Sequence, residues 1–322
     1  MKKTILTILF SVSVIAMLTG CTTSKDDSTV ADDVQATKVV NIGSFSRAID
    51  YAPYIVAKNN GLFDEVAAKY GVNINYVEFQ TLPAINEALA TNNLDIVFEA
   101  EPPAIIGKAA GIGLSIVSPG VSLVQEIVVP SESDINEVTD LKGKKIAVPS
   151  GSSSHYGLNM ILKQAGLTGD DVEIIDMNPQ DGKAAFVARQ IDGWAIWPPF
   201  VEQEQYAKTG RVLRGSNVFI QSIAAMRDSF KEENPELAKD LVAAIKESQQ
   251  WILQNTAEAQ KIVADELGIE LGVVELAWGK HNFNPTIGVE EIADIQNKAD
   301  FLFEMGLVKT NVNVDDDLID LY

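Results

Sequence analysis

Hydrophobic and polar positions along the chain follow two successive series of short strands and longer helices. The first series predicts three strands and three helices, in the order 39–42, 53–58, 73–79, 82–90, 94–98 and 103–110. The second series predicts the elements 125–129, 144–148, 156–165, 172–175, 182–189 and 193–197. The rest of the pattern is mainly helical, at 235–253, 256–267, 273–278 and 289–305. Such alternation favours an α/β fold with a largely parallel sheet, divided into two lobes.

The first 21 residues are typical of an export signal. Two lysines at positions 2 and 3 precede a mostly apolar stretch over 5–18, which as a helix reaches about 21 Å, short of the ~30 Å hydrocarbon core. Leu18-Thr19-Gly20-Cys21 resembles the lipobox of bacterial lipoproteins, in which the cysteine becomes the acylated N-terminus. We therefore expect a signal peptide over 1–20, a lipid on Cys21 and a flexible polar tether over 21–37. The alternative is an ordinary signal peptide with an incidental Cys21.

Composition narrows the class of protein further. Of the 322 residues, 46% are hydrophobic and 22% are charged, which is typical of a folded soluble body of about two domains. Acidic residues outnumber basic ones by 45 to 25, and the net charge of −20 argues against nucleic-acid binding. The single cysteine excludes an intrachain disulfide, and two histidines leave little room for histidine-based metal or acid–base chemistry.

A glycine- and serine-rich loop carries the strongest chemical signal. The predicted strand 144–148 runs into Pro149-Ser-Gly-Ser-Ser-Ser-His155, which opens directly onto a helix. Unpaired N–H groups and the partial positive charge of a helix start, with serine hydroxyls beside them, form a cradle for a small oxyanion. The spacing matches neither a Walker A loop nor a nucleophile elbow. Three alternatives stay open here: serines that only cap the helix, a Ser/His hydrolase, and a metal site using His155 and His281.

This loop also carries a family resemblance. The segments at 140–148 and 151–155 resemble the aliphatic-sulfonate, taurine and nitrate family of ABC-transporter substrate-binding proteins, and further matches follow in the family's order at 52–63, 87–96, 184–200 and 234–236. The resemblance covers about 39–314. It implies an α/β, two-lobed periplasmic-binding-protein-like fold of type II, with the ligand in a cleft between the lobes. We expect lobe I at 38–124 and 222–322, and lobe II at 125–221.

The resemblance also implies which residues contact the ligand. The family holds its sulfonate at the helix start, here Ser152, Ser153, Ser154 and His155. Ser44 and Phe45 fall at another family contact point, and Trp197 matches the cleft-side aromatic, although the nearby Trp194 could take that place. Arg47 could pair with the anion or be an ordinary surface arginine. Gln221, with Phe219, could complete the wall.

Two carboxylates, Glu99 and Glu101, follow the predicted strand 94–98. Carboxylates beside an oxyanion repel it, so they suit a solute that also carries a positive group, as taurine does. The alternative is that one glutamate caps the next helix and the other is solvated. Pro198 departs from the family, where an aspartate is frequent, and so a polar ligand contact is lost.

Together these features predict a lipid-anchored, extracytoplasmic substrate-binding protein of an ABC importer, which captures taurine or a related aliphatic sulfonate. We expect no enzyme activity, cofactor, metal or nucleic acid. The expected partners are the small anion or zwitterion and the ABC permease with its ATPase, with the lipid anchor as the only membrane contact and a monomeric body. Alternative ligands are nitrate, bicarbonate or a thiamine pyrimidine precursor. An alternative of another class is a Ser-dependent hydrolase or a synthase on the same fold.

Overall fold

The structure is a computed structural model and describes residues 38–45, 48–80 and 82–322. The predicted signal peptide, the lipid site Cys21, the tether and Arg47 therefore lie outside the described residues, as does the side chain of Phe45. Within the described part of the chain, no helix is both long and apolar enough to cross a membrane.

Eight strands form one sheet in the order β2-β1-β3-β8-β4-β7-β5-β6. Their bounds are β1 Val39–Phe45, β2 Asn73–Phe79, β3 Ile96–Ala100, β4 Leu114–Pro130, β5 Lys145–Val148, β6 Glu173–Asp176, β7 Gly193–Ile196 and β8 Gly210–Arg227. The pairs β1–β2, β1–β3, β5–β6 and β5–β7 are parallel. The pairs β3–β8, β4–β7 and β4–β8 are antiparallel.

The prediction of a largely parallel sheet is therefore wrong at the centre. The sheet is mixed because β4 and β8, at 17 and 18 residues, run antiparallel to each other along the middle and join two parallel flanks. The sequence pattern predicts only the last part of β4 and does not predict β8. The proposed lobe boundaries, at 124/125 and 221/222, fall inside these two strands, where the β4–β8 register shifts several times. The lobe assignment stays a prediction.

Helices pack against the strands and against one another. Their bounds are α1 Ala52–Asn59, α2 Leu62–Tyr70, α3 Leu82–Ala90, α4 Glu101–Ala109, α5 Ser153–Gln164, α6 Pro179–Val187, α7 Phe200–Tyr206, α8 Asp228–Glu233, α9 Pro235–Gln254, α10 Thr256–Leu267, α11 Leu271–Trp278 and α12 Val289–Glu304. α1 packs against α9 and α10, whereas α5 packs against β4 and β8. Helices α2, α7 and α8 were not predicted. Gly61 adopts φ 74° and separates α1 from α2.

The core is apolar on both flanks. On the β5–β7 flank, Trp194 is fully buried and packs against Phe186 and Phe200, at ring-centroid distances of 6.2 and 5.6 Å. On the other flank, Tyr54 packs against Phe98 and Phe63. Because all the strands of a flank are parallel, their carboxyl ends lie at one edge, and the loops that follow them meet there.

Candidate ligand-binding cleft

The start of α5 is built by Ser152 as an N-cap. Gly151 adopts φ 73°, which glycine tolerates without strain, and turns the chain from β5 into the helix. The Ser152 hydroxyl then accepts the His155 amide hydrogen at 3.2 Å and donates its own proton to the Pro149 carbonyl at 2.7 Å. Ser152 therefore fixes the geometry of the helix start, and its hydroxyl proton is already used within the loop.

The hydroxyl and the backbone amide of Ser153 are available to a ligand, whereas only the backbone amide of Ser154 is. The Ser154 hydroxyl donates to Gln125 Oε1 on β4. No partner for the Ser153 hydroxyl is found among the described residues, and the same holds for the backbone amides of Ser153 and Ser154. Gln125 is fully buried, and its Nε2 also has no partner in the described part of the chain. Gln125 was not predicted as a site residue, and no isolated polar position marks it, because the next residue of β4, Glu126, is polar too.

His155 adds one more donor. The Gly151 amide donates to His155 Nδ1 at 3.1 Å, so the ring proton of neutral His155 is on Nε2. Burial lowers the pKa of His155, although the charge of Asp176 opposes this shift. The lowered pKa keeps the ring neutral near pH 7. The start of α5 thus offers two amides, one hydroxyl, one imidazole N–H and the Gln125 amide, all donors, to a small anion.

The same contacts bear on the two alternatives with a chemical role for His155. No described serine hydroxyl donates to the His155 ring, so the pair that a Ser/His hydrolase needs is not formed here. Nor does any group of three His, Cys, Asp or Glu side chains suited to a metal ion occur among residues 38–45, 48–80 and 82–322.

The two predicted glutamates have different surroundings. Glu101 is the first residue of α4. Its Oε2 accepts from Lys298 Nζ at 2.6 Å and from the backbone amide of Gln221 at 3.1 Å. Lys298 also bonds Asp294 at 2.5 Å. Burial would lower the pKa of Lys298, but the two carboxylates raise it above its ordinary value, so the pair is ionic. The Glu101 carboxylate is thus engaged by a lysine from α12.

Glu99 has no such partner. It lies near the end of β3 with 2% of its surface exposed, and no hydrogen bond or ion pair to its carboxyl is found in the described part of the chain. Burial raises the pKa of Glu99 to about 8. A carboxyl this deeply buried either stays protonated or meets a cation that no described residue supplies.

Asp50 is a second buried carboxyl that the sequence analysis missed. It precedes α1 in the short turn Ile49–Tyr51, and its Oδ1 has no partner among the described residues. Burial raises the pKa of Asp50 to about 7, although hydrogen bonds from its own amide and from Ser222 lower it. The pKa of Tyr51 is raised well above its ordinary value by burial and then by the charges of Asp50 and Glu99.

The remaining predicted residues are distributed between two cavities and the core. Ser44 is buried at the end of β1 and lines a cavity of about 130 Å³ together with Tyr51. Gln221, with a buried Nε2 that has no described partner, lines another cavity of about 230 Å³ with Lys298 and with Phe219, which is exposed. Trp197 is buried and packs edge-on against Phe200 at 6.1 Å.

Contacts along the sheet bring the two halves of the site together. Ser44 on β1 is opposite Phe98 on β3, so the Glu99 and Ser44 positions are adjacent. Helices α4 and α5 are in contact, and the pKa of Tyr156 in the first turn of α5 is raised by burial and by the charges of Asp294 and Glu101. The start of α5 therefore lies beside the start of α4, which directly follows Glu99.

A sheet with long crossing strands, parallel flanks and helix starts at the carboxyl ends defines a periplasmic-binding-protein fold. Consistent with this, the chain superposes on the crystal structure of the periplasmic aliphatic sulphonate binding protein SsuA from Escherichia coli with a TM-score of 0.73 and 26% identity, covering 88% of this chain and 93% of that one. The sequence profile of the NMT1/THI5-like family matches residues 48–259, and the chain belongs to that family.

Curated relatives agree with this family. A Bacillus subtilis protein named for binding aliphatic sulfonates is 29% identical over 326 residues, covering 98% of this chain and 94% of that protein. An Escherichia coli protein of the same name is 30% identical over 248 residues, covering 75% of this chain and 77% of that protein. These relatives are named as binding proteins and not as enzymes. The family match confirms the predicted family, and the superposition on SsuA confirms the predicted fold class.

Proposed function

We propose that the protein is the substrate-binding component of an ABC importer and that it takes up taurine or a related aliphatic sulfonate. The family supports this proposal, and so do the names of the relatives. On this proposal the protein works outside the cytoplasm, attached to the membrane by a lipid on Cys21, as a monomer that delivers its solute to a permease and its ATPase. The lobes 38–124 with 222–322 and 125–221 close on the solute by bending at β4 and β8.

The observation that carries the proposal is the set of free donors at the start of α5. A sulfonate has three oxygens and a single negative charge, and it accepts several hydrogen bonds at once. The amides of Ser153 and Ser154, the Ser153 hydroxyl and His155 Nε2 meet this demand at a helix start, whose dipole favours the anion. Ser152, which the sequence analysis also placed on the ligand, supports the proposal as the cap that holds these donors in position.

Calorimetry with the full chain tests the proposal. We expect taurine or 1-propanesulfonate to bind, and neither nitrate nor a pyrimidine to bind more tightly. Ser153→Ala should weaken sulfonate binding by about 1 to 2 kcal/mol through loss of a hydrogen bond to a charged group. Ser150→Ala is the matched control, because Ser150 is exposed in the same loop. Unchanged affinity in Ser153→Ala, or binding of nitrate alone, would contradict the proposal, and release of a chemically altered product would favour an enzyme.

A further inference from the structure

Glu99 and Asp50 stand apart from the other buried carboxyls of the described chain. Three of the six fully buried ones are paired with a cation within the protein, namely Asp95 with Arg227, Glu101 with Lys298, and Glu202 with Lys280, and Glu204 accepts the Thr209 hydroxyl. Glu99 and Asp50, exposed by only 2% and 3%, have no cation near their carboxyls among the described residues. Burying carboxyls without a cation is costly, and Asp50 has only its own amide and the Ser222 hydroxyl as donors, so two such carboxyls in one place need an explanation.

The two carboxyls lie in one region of the fold. Ser222 on β8 donates to the Asp50 carbonyl at 3.1 Å, and Ser222 is opposite Ala100 on β3, the neighbour of Glu99. Tyr51 feels the charges of both carboxyls. They come from β3 and from the turn before α1, whereas the anion donors come from α5. The carboxyls and the anion donors are thus supplied by different elements of the fold.

We propose that Glu99 and Asp50 form a subsite for a protonated amine, and that the ligand is an aminosulfonate and not a plain alkanesulfonate. This inference rests on the proposed function and specifies its substrate class. A primary ammonium has three N–H donors and can bond both carboxyls at once, including the vacant Asp50 Oδ1. An anion alone would be served by α5 and would leave both carboxyls unexplained.

The rival reading is that protonated Glu99 donates a hydrogen bond to a sulfonate oxygen. Taurine and 1-propanesulfonate separate the two readings, because they differ only in an ammonium in place of a methyl group. We expect Glu99→Gln and Asp50→Asn to weaken the affinity for taurine, measured by calorimetry, about tenfold or more. Circular dichroism checks that each variant is folded. Binding of 1-propanesulfonate should change by less than about threefold, and Glu87→Gln, at an exposed glutamate, should change neither.

The outcomes are distinct. Equal weakening of both sulfonates in Glu99→Gln would make Glu99 a donor to the anion and overturn the inference, as would taurine binding that does not depend on either carboxyl. If the wild-type protein binds neither sulfonate, the proposed function fails and the aminosulfonate ligand fails with it, and 1-propylamine, a protonated primary amine without a sulfonate, then tests the amine subsite alone. A thermal shift with 1-propylamine that is lost in Glu99→Gln would sustain the amine subsite, and a shift that is retained or never seen would overturn it.

Discussion

The buried Glu99 carboxyl should make the stability of the unliganded protein fall as the pH rises. Burial raises the pKa of Glu99 from 4.5 to about 8, so the folded protein keeps this proton over a range in which the unfolded chain has lost it. The stabilising contribution is complete below pH 4.5 and is lost progressively up to about pH 8. Raising the pH from 5 to 8 therefore lowers the free energy of unfolding by about 3 to 4 kcal/mol through this one group.

Urea unfolding of the unliganded protein at pH 5 and pH 8 measures this loss. Wild type should lose about 3 to 4 kcal/mol more than Glu99→Gln over this interval, because glutamine has no proton to lose. Asp50, whose pKa burial raises to about 7, acts in both proteins and therefore cancels in the comparison. Glu87→Gln should behave as wild type. Equal losses in wild type and Glu99→Gln would refute the reasoning, since the carboxyl would then be solvated or paired in the folded state.

Two further substitutions test the surroundings of the site. Lys298→Met leaves Glu101 buried without its cation and should lower the free energy of unfolding, measured in urea, by about 3 to 5 kcal/mol. Adding Glu101→Gln should recover most of this loss, and no recovery would contradict the pairing. Gly157→Ala places a Cβ 2.7 Å from the Gln125 Cβ, so α5 must shift and sulfonate binding measured by calorimetry should weaken about tenfold. Gly279→Ala, with its nearest neighbour at 3.9 Å, should bind as wild type, and equal effects of the two glycine variants would exclude a steric cause.

The sequence predicts the flanks of the sheet better than its centre. Strands such as β2 and β5 are short, and turn residues or helices bound them, so local periodicity is sufficient to find them. β4 and β8 are about three times as long as an ordinary strand, with bulges that break the alternation, and each is stabilised mainly by pairing with the other. Because that pairing joins residues about a hundred positions apart, no local pattern reveals it.

The site shows the same division between local and distant information. The cap by Ser152 and the donors that follow it arise within a few residues, and the loop sequence predicts them. The partner of Glu101 is 197 positions away on α12, so spacing alone could not separate Glu101 from Glu99. Asp50 has the sequence context of an ordinary first-turn aspartate, and only its burial distinguishes it.

The division of the proposed site between lobes gives a reason for the ligand itself to drive closure. The α5 donors belong to the proposed lobe II, and Glu99 and Asp50 belong to the proposed lobe I. A plain alkanesulfonate makes its strong bonds to only one of these lobes, so it gains little when the other lobe approaches. An aminosulfonate bonds both lobes, and its ammonium also compensates the buried carboxyls. Its differential affinity for the closed form is therefore larger, and a ligand can shift a conformational equilibrium only by that difference.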